Sequence, residues 1–356
     1  MPRLSSMLLA VALAAAAPVA QAAEVPRVVP QDSGVTVRLR GISAVSTDVA
    51  WASGREGTVL RTVDGGRHWE VLKIPGAETL DFRDVEGFDA QTAVVLSIGP
   101  GAASRVYRTE DGGTTWTLAL QNDDPRAFFD CMVFQGERGW MLGDPVDGRF
   151  QIRSTVDGGG TWSLWKDGPE ALQDEAAFAA SGTCIALGFR NQLLVVGGGA
   201  ASRVHVFRPD TRAWTALDTR LPQRIPAAGI FSATDNGLVV GGDFEREQTG
   251  GAAWVVFGKD GPRIEPLASP RGYRSGAACR NSIDCIAVGP TGVDHFDGRR
   301  WSALSDIGYD AVDMEPTETI AWTSGDKGRI ARITWPSASP PPPLPPAPLP
   351  APRPAR

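Results

Sequence analysis

The sequence predicts an all-β fold, a seven-bladed β-propeller of four-stranded blades, and three observations predict it. A Thr-x-Asp-Gly-Gly-x-(His/Thr)-Trp turn recurs at 62–69, 109–116 and 155–162, with Asp64, Asp111 and Asp157 spaced 47 and then 46 residues apart. A fixed period of that size marks a repeat architecture. Seven small-apolar runs ending in Gly follow one another along the chain: VAWASG (49–54), AVVLSIG (93–99), GWMLG (139–143), LLVVGG (193–198), GLVVGG (237–242), CIAVG (285–289) and AWTSG (321–325). Finally, the 313 residues of 23–335 divide by a period near 45 into about seven units. A closed radial array of that kind protects the edges of its sheets.

Taken in chain order, residues 1–22 read as an export signal. Arg3 supplies the positive region, 8–17 the apolar run, and Ala20-Gln21-Ala22 a small-x-small cleavage site, so processing is expected after Ala22. The run falls short of the ~20 residues a membrane span needs. The mature chain is therefore expected outside the cytoplasm, in the periplasm or otherwise exported, and peripheral to a membrane at most. The segment 34–39 (GVTVRL) alternates like a strand and precedes the first full unit. It is the expected outer strand of the last blade, which otherwise holds only three.

Each of the seven Gly-ended runs is expected as the second strand of its blade, followed by a hairpin. No stretch carries a helical period. In the first three hairpins the aspartate is expected to accept backbone N–H groups two or three residues on. The glycine pairs Gly65-Gly66, Gly112-Gly113 and Gly158-Gly159 supply positive φ. Trp69, Trp116 and Trp162 return as wedges between units, each able to bury ~150–250 Å². Weaker versions continue at 210–214 (DTRAW), Asp260-Gly261 and 297–301 (DGRRW). Every residue of the motif thus has a turn-building task, so the motif argues for fold rather than for chemistry.

Four cysteines in an exported chain point to disulfides. Cys279 and Cys285 flank a short polar turn and pair across a hairpin, which leaves Cys131 and Cys184 to tie successive units. No C-x-x-C pair accompanies them, and His68, His205 and His295 are scattered. No metal or cofactor is called for.

Without Arg3, Arg353 and Arg356, the 35 basic residues fall to 32 against 41 acidic ones, a net −9 for 23–335. That balance argues against a nucleic-acid binder. On such a chain, basic residues near the starts of the inner strands stand out: Arg40, Arg83, Arg126, Arg224 and Arg274. In a propeller those starts surround one mouth of the central channel, where arginine is a good anchor for carboxylates and aromatic groups. The competing expectation is that each pairs with a nearby acid such as Asp81 or Asp84. Beyond 335, the proline-rich 336–356 reads as a disordered, extended tail.

The latch resembles the Asp-box, or BNR repeat, of sialidases and other propellers. The longer stretch VAWASGREGTVLRTVDGGRHW, echoed by GDKGRIARITW near the end, is similar to the photosystem II stability/assembly factor family, most closely over 39–165. That resemblance implies an exported, non-enzymatic seven-bladed propeller that binds a partner protein, a membrane-complex subunit, during assembly. Relatives in non-photosynthetic bacteria separate the family name from any one biological role.

A sialidase-like hydrolase is the alternative, with a Tyr nucleophile, an acid/base Asp and an arginine triad. Arg224-Ile225-Pro226 falls after the three good latches rather than before them, and Tyr107, Tyr273 and Tyr309 are the available tyrosines. Tyr273 and Tyr309 each begin an inner strand. G-x-S-x-G, H-E-x-x-H and dinucleotide fingerprints are absent. A non-catalytic binder of glycans or envelope polymers is the third possibility.

Overall fold

In a computed structural model, which describes residues 25–336, the chain forms seven antiparallel sheets arranged as a ring. The inner strand of each sheet touches the inner strands of both neighbours, which closes the circle. These inner strands are Leu39–Ala44, Asp81–Gly87, Phe129–Gln135, Ile185–Gly188, Ile225–Ala233, Gly276–Asn281 and Ala311–Met314. All seven Gly-ended runs lie on second strands, as their sequences require.

Each second strand is sandwiched between adjacent blades, so both of its faces are covered. Leu238–Asp243 is buried at every position. The core is accordingly a series of layers between blades rather than one central mass. Trp51, Phe82 and Val85 share the layer between blades 1 and 2, while Leu39, Trp322 and Ile330 share that between blades 7 and 1.

The latch turns are more elaborate than the sequence suggests. Asp64, Asp111 and Asp157 each accept a backbone N–H four residues on, from His68, Thr115 and Thr161 at 2.8–3.0 Å, not two or three. The leading threonine completes the lock. Thr62, Thr109 and Thr155 donate to the aspartate and accept from the second glycine's N–H at 2.9–3.1 Å. The wedges then engage aromatic partners edge-on. Trp69 meets Trp322 of blade 7 at 5.5 Å, Trp116 meets Trp51 of blade 1 at 6.5 Å, and Trp162 meets Phe134 at 5.8 Å.

Two features depart from expectation. The fourth strand of the last sheet is Arg27–Gln31, paired with Ile330–Thr334, and not 34–39. Residues 34–38 instead carry the chain inward, Leu39 opens the inner strand of blade 1, and Val35 and Val37 pack beneath that passage. Alternation alone cannot separate the two segments. Pro30, which donates no hydrogen bond, is tolerated because its strand is an edge. Gln31 then fastens the edge to blade 1: it donates to the Gly65 carbonyl at 3.0 Å and accepts from Trp69 at 3.4 Å.

The fifth sheet has six strands rather than four. Gly198–Gly199 and Glu175–Ala176 add to its inner edge. Gly198 and Gly229 approach so closely that a Cβ on either would lie within 2.6 Å of the other's Cα. The pairing draws 177–183 away from blade 4 and into the channel. Both disulfides form as expected, Cys131–Cys184 between blades 3 and 4 and Cys279–Cys285 across a hairpin of blade 6. The export signal and the proline-rich tail from 337 onward lie outside the described residues. Among the described residues no helix is long and apolar enough to cross a membrane.

Candidate functional site at the channel mouth

The inner-strand starts do surround one mouth of the channel, and a cavity of about 490 Å³ opens there. Arg40 and Arg83 line it. Both reach the carbonyl of Ala179, on the segment drawn into the channel, at 3.4 and 2.5 Å. Arg83 also donates to Asp81 at 3.0 Å. Arg40 is only 9% exposed and its Nε has no hydrogen-bond partner. Burial, only partly offset by Asp310, pushes its pKa down to about 10. A guanidinium so placed is a charge with unspent hydrogen-bonding capacity.

A third arginine, Arg38, stands beside them and holds Asp310 bidentately at 2.7 and 2.8 Å. Sequence reading missed it, although VRLRG places it two residues before Arg40, hence on the same side of an extended chain. The other three expected arginines are elsewhere. Arg126 is exposed and pairs with Asp124 and Asp147 at 2.8 and 2.9 Å. Arg224 is exposed in the left-handed region (φ 62°), just before its strand. Arg274 is fully buried and bonded to Asp294, Thr291 and the Tyr273 carbonyl. It is a structural cation between strands and not part of the rim.

The opposite wall is aromatic, which the sequence reading did not anticipate. Phe178 stacks on Phe231 at 4.1 Å, with Phe244 and Tyr273 edge-on to Phe231 at 6.2 and 4.7 Å. Tyr273 is 7% exposed, and burial raises its hydroxyl pKa, the reverse of what a nucleophile needs. Tyr309 is likewise buried.

Segment 177–183 forms the floor of this mouth and the ceiling of a second cavity of about 460 Å³ at the other end of the channel. Ser181 anchors it to the Ser275 carbonyl at 2.6 Å. Gly182, at φ +80°, lies against Asp84, where a Cβ would come within 2.3 Å of the carboxylate. The lower cavity is acidic, with Asp84, Glu86 and Asp313 among its lining. Their pKa values are raised chiefly by burial, that of Asp313 to about 6. Asp84 and Asp313 also tie blades together by accepting the backbone N–H of Met132 and Ala44, both at 2.7 Å.

Fold and cavity define the class: a seven-bladed β-propeller with an arginine-and-aromatic channel mouth. No family model matches the chain. It is 30% identical over 158 residues to the photosystem II assembly protein Ycf48 of Synechococcus sp. (strain JA-2-3B'a(2-13)), a match covering 33% of this chain and 45% of that protein. The chain spans less than half the length of the curated relatives it matches. Its fold is similar to that of YCF48 from Cyanidioschyzon merolae, with a TM-score of 0.64 at 16% identity over 86% of this chain and 99% of that one. A structure of YCF48 bound to a D1 peptide gives 0.62 at 14% identity, over 87% and 96%. The sequence match thus makes part of the chain similar to Ycf48, and the structural matches show a shared propeller fold.

Proposed function

We propose that this chain is an exported, non-catalytic propeller that binds a partner protein as an assembly or scaffolding factor for a membrane-associated complex. The observation that carries the reading is the mouth. Two guanidinium groups, from Arg40 and Arg83, converge on a single carbonyl, and one retains an unpartnered donor, in a cavity that Phe178 and Phe231 also line. Such a site suits an extended segment carrying a carboxylate beside an apolar side chain, because arginine pairs with the first and the phenylalanines with the second. The name of the Ycf48 relatives and the peptide-bound YCF48 structure support protein binding of this kind. The leader pattern and two disulfides support export.

The test is a pull-down from solubilised envelope with the mature chain from Ala23. Beside it run Arg40→Glu/Arg83→Glu and, as a control for surface charge, Arg126→Glu/Arg224→Glu. The reading expects a membrane-protein partner that is captured by the wild type and the control but lost with the mouth variant, and that is released by salt. Equal capture by all three proteins would remove the mouth from the mechanism. Absence of any protein partner, with binding on a glycan array instead, would replace the reading.

A further inference from the structure

On the face opposite the arginine mouth, an arginine of one blade repeatedly donates to a turn carbonyl of the next. Arg332 reaches Gly65 at 3.3 Å, Arg61 reaches Ala90 at 2.8 Å, and Arg108 reaches Gly158 at 2.9 Å. Among the described residues it occurs at these three junctions, and the junction of blades 4 and 5 is one of those that lack it. The blade 5 hairpin turns tightly through Lys259-Asp260, with Gly258 paired to Gly261, and brings neither a second glycine after its aspartate nor a Trp. A cavity of about 410 Å³ opens beside it.

Two buried polar atoms in the lining of that cavity have no partner, the Nε of Arg208 and the Oε1 of Gln192. They are cross-strand neighbours. Leu193 pairs with Phe207, so Gln192 before it and Arg208 after it stand side by side at the end of blade 4. An unmatched donor and an unmatched acceptor therefore lie on neighbouring side chains of the cavity wall without bonding each other. Arg190 and Lys259 add exposed positive charge, against Asp210 alone among the lining acids. Arg190 and Asn191 both adopt the left-handed region, φ 57° and 58°, a conformation that non-glycine residues enter at a cost. The space falls within the ~300–1,000 Å³ usual for ligand pockets.

We infer that the cleft between blades 4 and 5 is a second binding site, separate from the channel mouth, and that it takes an acidic peptide segment. A backbone N–H of such a segment satisfies Gln192, and its carboxylates satisfy Arg208, Arg190 and Lys259. An acidic sugar offers hydroxyl and carboxylate too, but it binds best where a ring face is free to stack. Here one face of the Phe189 ring carries the Arg190 guanidinium, 5.0 Å from its centroid, which leaves only its other face free. The inference does not depend on what the mouth binds.

The experiment uses the mature chain with Arg40→Gln/Arg83→Gln, so that the mouth does not contribute, and fluorescently labelled acetyl-hexaglutamate amide as probe. Arg208→Gln on that background is expected to weaken binding at least tenfold, and Lys259→Gln or Arg190→Gln about threefold each. The last two residues are exposed, so their variants remain informative if Arg208→Gln fails to fold. Three outcomes overturn the inference. They are no binding of the peptide, changes below twofold in the Lys259 and Arg190 variants, or binding of oligogalacturonate in preference to hexaglutamate.

Discussion

Arg40 and Arg274 occupy comparable positions in the sequence, each at the start of an inner strand, yet one faces the channel and the other is sealed against Asp294. Which side an arginine takes depends on which neighbour offers a carboxylate, and that neighbour is distant in sequence. The same holds for Glu175, whose side chain is fully buried and accepts from Arg203 at 2.9 Å, His205 at 3.2 Å and the Leu172 N–H at 2.8 Å. Burial alone would raise its pKa, but these donors hold it down to about 2. A carboxylate depressed in the folded state contributes stability above its unfolded value, and that contribution is lost as pH falls from ~4.5 through about 2. Glu175→Gln should therefore cost about 3–5 kcal/mol at neutral pH, by stranding the Arg203 guanidinium, and much less near pH 2. Urea midpoints of both proteins from pH 2 to 7 measure this, and a gap that stays constant with pH would contradict it. Of the mouth itself, Arg40 and Arg83 were legible as basic residues at strand starts. Arg38 and the aromatic wall were not, because their neighbours come from blades 5 to 7 and from 177–183.

At the scale of elements, the latch hairpins are the most local structures in the molecule and the best forecast. Thr, Asp and the second glycine bond within eight residues of one another, and the first glycine's N–H reaches only the preceding hairpin of its own blade, Gly65 to Asp48 at 2.9 Å, so no contact outside the blade is needed to form the turn. The disulfides divide by the same criterion. Cys279–Cys285 closes 6 residues within one hairpin, whereas Cys131–Cys184 closes 53 and joins two blades. In the chain-entropy description, loss of the first costs about 2 kcal/mol and of the second about 4 kcal/mol. The double serine variant at Cys131 and Cys184 should thus show the larger drop in melting temperature by calorimetry. The reverse order would mean that the hairpin bridge restrains more than its own turn. The extra strands on blade 5 lie at the other extreme, since the Gly198–Gly229 approach joins residues from different blades.

For the whole molecule, the ring depends on a strand that sits far from its sheet in sequence. Arg27–Gln31 completes the last blade, and Val28 packs into the layer between blades 6 and 7. A mature chain starting at Asp32 leaves Ile330–Thr334 as an unpaired edge. It should melt well below the full mature chain and aggregate more readily. Scattering during a thermal ramp reads both effects, and an unchanged profile would show that the ring holds without this strand. The blade count, the second strand of every blade, the three latches and both disulfide pairings were readable from the amino-acid sequence. All of these rest on periodicity, on turn chemistry or on cysteine spacing, which are properties of short stretches. Which N-terminal segment closes the ring, which arginines face the channel, and the division of that channel by 177–183 all depend on long-range packing. Two alternating segments look alike until one finds an edge to pair with. A charged side chain likewise has no fixed direction until packing brings its partner from another blade.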